Sequence, residues 1–163
     1  MIGFRVWQVA GRADGSGPYL LRSPWQNVNW QDKRLRANDS PDPENSIGIY
    51  ARSRYATEPP YRPASEIPVR GTVYLSGRVV EHEDGTLRAE EAEVISLNLI
   101  SLSGRLMTMP QSPQNWSMVV LQGQHSPWLR PLDLQPRELL AQLLKTYDAD
   151  ILWQWPWDDQ RGD

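Results

Sequence analysis

Two long β-rich runs, within residues 69–100 and separated by Asp84-Gly85, constrain the fold most strongly. Asp-Gly favours a two-residue type I′ turn, because both central residues of that turn need positive φ. A register in which Glu83 pairs with Thr86 follows, and it sets opposite charges across the hairpin. The predicted opposite pairs are Glu81 with Arg88, Arg78 with Glu91, Val80 with Ala89, and Leu75 with Val94. We also expect a β-bulge near residues 90–93, where alternation fails.

The rest of the chain predicts shorter strands and one helix. Leu139, Leu140, Leu143, Leu144 and Tyr147 recur at helical spacing, and Pro136 suits the first helical position. The predicted helix spans residues 136–147, and the predicted strands span residues 4–10, 19–22, 47–51, 116–122 and 151–153. We therefore expect an α+β, mainly β fold: an antiparallel sheet or partly open barrel with one C-terminal helix packed on it.

Proline sets one region apart. Six of the 14 prolines fall within residues 38–68, and a connection of this length in a compact domain is commonly a functional loop or a disordered one. We interpret it as a Pro-rich loop within a single domain of residues 1–163.

Composition excludes several classes of site. The chain has no cysteine and two histidines, His82 and His125. A disulfide framework, a thiolate zinc site, an iron–sulfur cluster and a three-histidine metal site are therefore excluded, and we expect no cofactor. The sequence has neither a basic start before a long apolar stretch nor a window approaching about 18 apolar residues. These features predict a cytoplasmic protein without a membrane partner.

Tryptophan gives the first candidate for a binding surface. Trp153, Trp155 and Trp157 alternate with Gln154 and Pro156, so an extended chain would direct all three indoles to one side. They either close the core or form an exposed ridge that binds a protein partner, for which tryptophan is a favoured anchor.

A basic cluster gives the second candidate. Trp25 and Trp30 precede Lys33, Arg34 and Arg36, and indoles can stack on bases while cations meet phosphates. Residues 1–80 carry 11 basic and 7 acidic residues, a net charge of +4, whereas the remainder carries 6 and 13, a net charge of −7. The whole-chain charge of −3 argues against general nucleic-acid binding.

The hairpin tip gives the third candidate. His82 lies between Glu81 and Glu83, the only favourable residue set for acid–base chemistry. Alternation places the two carboxylates on one face and the imidazole on the other, in a solvated turn. We therefore interpret the tip as a polar turn, with catalysis or metal binding as the alternative. The catalytic alternative uses His82 with Glu81, Glu83 or His125.

Two stretches resemble a bacterial family, common in actinobacteria, that has no assigned activity. Its motifs are Cys-x-Cys-Gly-Ile-Tyr-Ala and Gly-Arg-Val-Val-Glu-His-Glu-x-Gly-x-Arg-Ala-Glu, which here correspond to residues 45–51 and 77–90. A helix followed by a Tyr-rich turn, as at residues 139–147, is similar too. Asn45 and Ile47 stand where the family has cysteines, so a metal or redox role does not transfer. The resemblance implies a bacterial, β-rich domain.

These observations favour a non-catalytic cytoplasmic accessory protein that acts through a protein–protein interface. The alternative is a nucleic-acid-associated accessory factor that uses the basic N-terminal part. An enzyme that uses His82 is the third hypothesis.

Overall fold

The computed structural model describes residues 1–10, 18–24, 28–56, 68–99 and 136–156. The predicted strand at residues 116–122 lies outside this part of the chain. The described elements are β1 (Ile2–Ala10), β2 (Leu20–Arg22), β3 (Asn29–Trp30), β4 (Arg34–Arg36), β5 (Ile49–Arg52), β6 (Pro68–Glu81), β7 (Thr86–Leu99), α1 (Pro136–Tyr147) and β8 (Asp150–Ile151).

Four antiparallel strands close a ring of hydrogen bonds. β6 pairs with β7 along most of its length and with β1 on its other side, while β5 joins β7 to β1. β2 and β3 extend the sheet from β1, and β4 and the parallel strand β8 line the remaining edge of β7. The predicted α+β, mainly β fold with one C-terminal helix is therefore confirmed, and its sheet is mixed because β8 is parallel to β7.

The turn of the central hairpin differs from the predicted type. The Gly85 amide donates to the His82 carbonyl at 2.9 Å, and the His82 amide donates to the Thr86 carbonyl at 2.9 Å. Gly85 has a φ of 75°, whereas Asp84 does not have positive φ. The loop is therefore the three-residue kind, a type I turn followed by a left-handed glycine.

This turn corrects the predicted register by one residue. The observed pairs include Glu81 with Leu87, Val80 with Arg88, and Leu75 with Ala92. The predicted cross-strand charge pairs are absent, because the extra loop residue shifts the partners near the turn by one position. The irregularity between Ser76 and Val79 adds a second position, so Leu75 lies two residues from its predicted partner, Val94.

The expected bulge lies on the opposite strand. The register of β6 against β7 shifts between Ser76 and Val79, and Gly77 has a φ of 70°. A Cβ atom at Gly77 would come within 2.9 Å of the Glu90 side chain. Glycine therefore satisfies both the backbone conformation and the close approach.

Helix α1 has the predicted bounds and buries the predicted face. Leu139, Leu140, Leu143 and Tyr147 are buried, and the helix packs on β7. The helix ends at Tyr147, and the next residue, Asp148, has a φ of 45°, a left-handed conformation usual just after a helix C-terminus. No helix in the described ranges is long and apolar enough to cross a bilayer.

The other short elements agree less closely with the sequence. The strand predicted at residues 47–51 is observed as Ile49–Arg52, and the last strand stops at Ile151. β4 was not predicted; it forms within the basic cluster. Of the Pro-rich region, residues 38–56 are described and residues 57–67 are not.

Candidate functional site

The segment after β8, residues 152–155, contacts the barrel at both of its ends, Leu152 and Trp155. The Leu152 amide donates to the Leu97 carbonyl at 3.0 Å, and its carbonyl accepts from Asn98 Nδ2 at 2.8 Å. Trp155 is buried, and its ring meets the edge of Phe4 with centroids 5.2 Å apart. The three residues between β8 and Trp155 therefore lie on a rigid support.

The tryptophans of this segment do not share one face. Trp153 is 63% exposed and Trp155 is 2% exposed, with the Arg70 guanidinium 5.0 Å from the Trp155 ring. The expectation that the indoles lie on one side is wrong for this pair, because one indole is exposed and the other is buried. The strand on which the expectation depends ends at Ile151. Trp157 lies outside the described residues.

Trp30 of the predicted basic cluster is in the core. It is fully buried, its ring packs edge-on against Trp7 at 5.5 Å, and its Nε1 donates to Ser23 Oγ at 3.1 Å. A buried indole cannot stack on a base, which corrects the expectation for Trp30. Trp25 lies outside the described residues.

The three cations of the cluster are paired with carboxylates. Arg34 contacts Glu93 at 2.9 Å, Arg36 contacts Glu90 at 3.1 Å, and Lys33 contacts both Asp148 at 3.3 Å and Glu93 at 3.4 Å. The contact with Asp148, aided by Glu93, raises the pKa of Lys33. The Arg78 amide and the Arg36 guanidinium lower the pKa of Glu90. Acidic residues therefore balance the charge that would attract phosphate.

A groove of about 560 Å³, open to solvent, lies between the hairpin tip (residues 82–84) and the loop before β5 (residues 43–46). Arg88, at its base, is 2% exposed. Arg88 Nε donates to His82 Nε2 at 2.8 Å, and Nη2 donates to the Asp42 carbonyl at 2.9 Å. Nη1 donates to the carbonyls of Asn45 and of Ile47, the latter at 3.2 Å. Arg88 thus ties the loop to β7.

This contact defines the state of His82. Arginine Nε can only donate, so His82 Nε2 accepts and the imidazole proton is on Nδ1. In the described part of the chain neither Glu81 nor Glu83 bonds to His82, so the acid–base pair considered for catalysis does not form there. His125 lies outside the described residues, and no cluster of metal-ligating side chains occurs within those that are described.

Arg5 is another buried cation, which the sequence did not identify. It is 4% exposed, its guanidinium lies 5.7 Å from the Trp7 ring and 5.3 Å from the Trp30 ring, and it donates to Ser23 Oγ at 2.6 Å and to the Tyr50 carbonyl. Burial lowers the pKa of Arg5 to about 9. The sequence signal for burial of Arg5 is its position two residues before Trp7, on the same face of β1.

Comparison of the chain with protein-family models, curated proteins and solved structures gives no match. The resemblance to the bacterial family described above therefore stays a prediction. The evidence for function lies in this chain's own residues.

Proposed function

We propose that this protein is a non-catalytic cytoplasmic accessory protein that binds a partner protein through Trp153. The observation that carries the proposal is a 63% exposed indole on a segment held at Leu152 and Trp155. Trp155 contributes by anchoring this segment.

Rigid support favours binding. Tryptophan is enriched among residues that dominate interface energetics, because its large ring buries much apolar area. A side chain on a fixed backbone loses less conformational freedom on association than one on a flexible loop. The partner surface that fits is an apolar cavity wide enough for an indole, with an acceptor for Nε1–H at its rim.

The test compares two aromatic substitutions. Wild-type protein, Trp153→Ala and Tyr74→Ala are used to capture proteins from nuclease-treated host lysate, and the captured protein is then purified for affinity measurement. Tyr74 is the matched control, an aromatic residue on β6 that is 48% exposed. We expect Trp153→Ala to weaken binding at least about tenfold and Tyr74→Ala to have little effect.

Folding must be unchanged for this result to be informative. An exposed side chain contributes little to stability, so we expect Trp153→Ala to change the free energy of unfolding by less than about 0.5 kcal/mol. Equal capture by wild-type protein and Trp153→Ala contradicts the proposal.

The nuclease treatment addresses the alternative function. The paired state of Arg34 and Arg36 and the burial of Trp30 do not favour nucleic acid as the ligand. If the retained material is nucleic acid, lost on nuclease digestion or at raised salt, the alternative replaces the proposal.

A further inference from the structure

The groove at the hairpin tip has a buried positive charge without a carboxylate partner. Every acceptor of the Arg88 guanidinium is neutral: an imidazole nitrogen, backbone carbonyls and the Asn45 side-chain oxygen. Among the residues that the structure describes, Arg88 forms no ion pair. A buried charge that lacks a counter-ion attracts an anion more strongly than a solvated one does.

Asn45 and His82, two of the residues that line the groove, each have an N–H donor that no described residue uses. Asn45 Oδ1 accepts from the amides of Asp42 at 3.1 Å and of Ile47 at 3.0 Å, which fixes the side chain and leaves Nδ2 without a described partner. His82 Nδ1–H is likewise unpaired in the described part of the chain. The residues that line the groove therefore include Asn45 and His82, each with a neutral N–H donor unused by the described residues, and the cation Arg88.

The acidic residues of the groove limit the charge of the ligand. Asp84 is occupied: its carboxylate accepts from the Thr86 amide at 2.9 Å and contacts Arg52 at 3.3 Å. Hydrogen bonds from the Thr86 amide and hydroxyl, with a smaller contribution from Arg52, lower the pKa of Asp84. Glu83 has no partner among the described residues and adds one negative charge to the groove. A dianion would meet more repulsion there than a monoanion.

The groove also has an apolar part. The Tyr50 ring and Pro43 line it beside the polar groups, and the Tyr50 hydroxyl is held by the Ser46 carbonyl at 2.7 Å. A volume of about 560 Å³ exceeds the needs of an inorganic ion and lies within the usual range of small-molecule sites.

We propose that this groove binds a monocarboxylate that has an apolar body. The carboxylate accepts hydrogen bonds from Asn45 Nδ2 and His82 Nδ1 and balances the charge of Arg88. The apolar body packs against Tyr50. This site is separate from the proposed protein-binding role of Trp153, and either can fail without the other.

Benzoate and benzamide form a matched pair of probes, because they share a phenyl ring and differ in charge. Each is titrated into ¹⁵N-labelled protein, and the Asn45 side-chain amide and the His82 ring nitrogens are followed by NMR. We expect saturable shifts with benzoate, and binding of benzamide weaker by at least about tenfold. Inorganic phosphate at neutral pH should bind more weakly than benzoate.

A substitution at the rim tests the sign of the charge. Glu83 is exposed, so Glu83→Gln preserves the fold while it removes one repulsive charge. We expect Glu83→Gln to tighten benzoate binding about two- to fivefold and to leave benzamide binding unchanged. Any one of three results would overturn the proposal: no saturable shift with benzoate, equal binding of the two probes, or weaker benzoate binding by Glu83→Gln.

Discussion

Two arginines, Arg5 inside the barrel and Arg88 at the base of the groove, are buried to nearly the same degree in different surroundings. Neither forms an ion pair with a carboxylate of the described chain. Arg5 lies beside two indole rings and donates to two oxygens, while its Nε has no partner. All three nitrogens of Arg88 donate to acceptors. Equal burial therefore does not imply an equal contribution to stability.

The position of Arg5 follows from the pairing of β1. This strand pairs with β5 only at Phe4 and with β2 only at residues 8–10, which leaves a gap between the two neighbours. Arg5 spans the gap from Ser23 to the Tyr50 carbonyl. It supplies donors where the strand ladder is interrupted, but its charge is desolvated without a counter-ion.

The largest expected effect is the loss of Arg88. Arg88→Met removes the donors that hold the carbonyls of Asp42, Asn45 and Ile47. The Asp42 carbonyl keeps the Asn45 amide at 3.1 Å, whereas the other two carbonyls are left to water or without partners. We expect the free energy of unfolding to fall by about 3 kcal/mol, measured by urea denaturation.

A matched control is Arg78→Met. Arg78 contacts the Asp42 side chain at 3.1 Å and is more than half exposed. Exposed ion pairs contribute little, so we expect a loss of less than about 1 kcal/mol. If Arg88→Met and Arg78→Met are equally stable, the buried hydrogen bonds of Arg88 contribute no more to stability than the exposed ion pair of Arg78.

The next largest expected effect is the loss of the Tyr147 hydroxyl, which bonds to the backbone at Leu21 and Trp30. The Tyr147 hydroxyl accepts from the Leu21 amide at 2.8 Å and donates to the Trp30 carbonyl at 2.6 Å. Tyr147→Phe leaves both backbone groups unpaired, and we expect a loss of about 2 kcal/mol at neutral pH.

The pH dependence of this loss has a defined sign. Burial raises the pKa of Tyr147 to about 12, above its usual value of 10.0. The folded state therefore holds the phenolic proton at a pH at which the unfolded state releases it, so this contribution to stability is present below pH 10 and is lost as pH rises toward 12. The stability difference between wild-type protein and Tyr147→Phe should shrink between pH 9 and pH 11 in urea denaturation. A constant difference contradicts the assignment.

The sequence predicted the elements with strong periodicity. The hairpin of β6 and β7 and helix α1 were found because alternation and helical spacing extend over more than ten residues. The predicted pairing of β6 with β7 is wrong by one residue near the turn. Asp-Gly is compatible with a two-residue and a three-residue loop, and the φ of Asp84 distinguishes the two. β4 was missed, since three residues carry no detectable period.

The sites were less predictable than the elements. Alternation along β1 places Arg5 on the same face as Trp7, but the sequence does not show that a gap between β2 and β5 makes room for a guanidinium. Arg88 was assigned to an ion pair with Glu81, whereas the register and the loop before β5 provide it with neutral acceptors. These features depend on contacts between residues distant in sequence, and the periodicity of a single segment does not predict such contacts.

The smallest expected effect is at Arg5. Arg5→Met keeps an apolar chain of similar length against Trp7 and Trp30 and removes the desolvated charge. The two lost hydrogen bonds and the relieved desolvation oppose each other, so we expect a change within about 1 kcal/mol. Arg5→Lys keeps the charge but loses the planar donors that reach both Ser23 and Tyr50, and its more strongly hydrated ammonium is costlier to bury. Urea denaturation should therefore find Arg5→Lys less stable than Arg5→Met. The reverse order would mean that the charge of Arg5 stabilises the barrel, and Arg5 and Arg88 would then be alike.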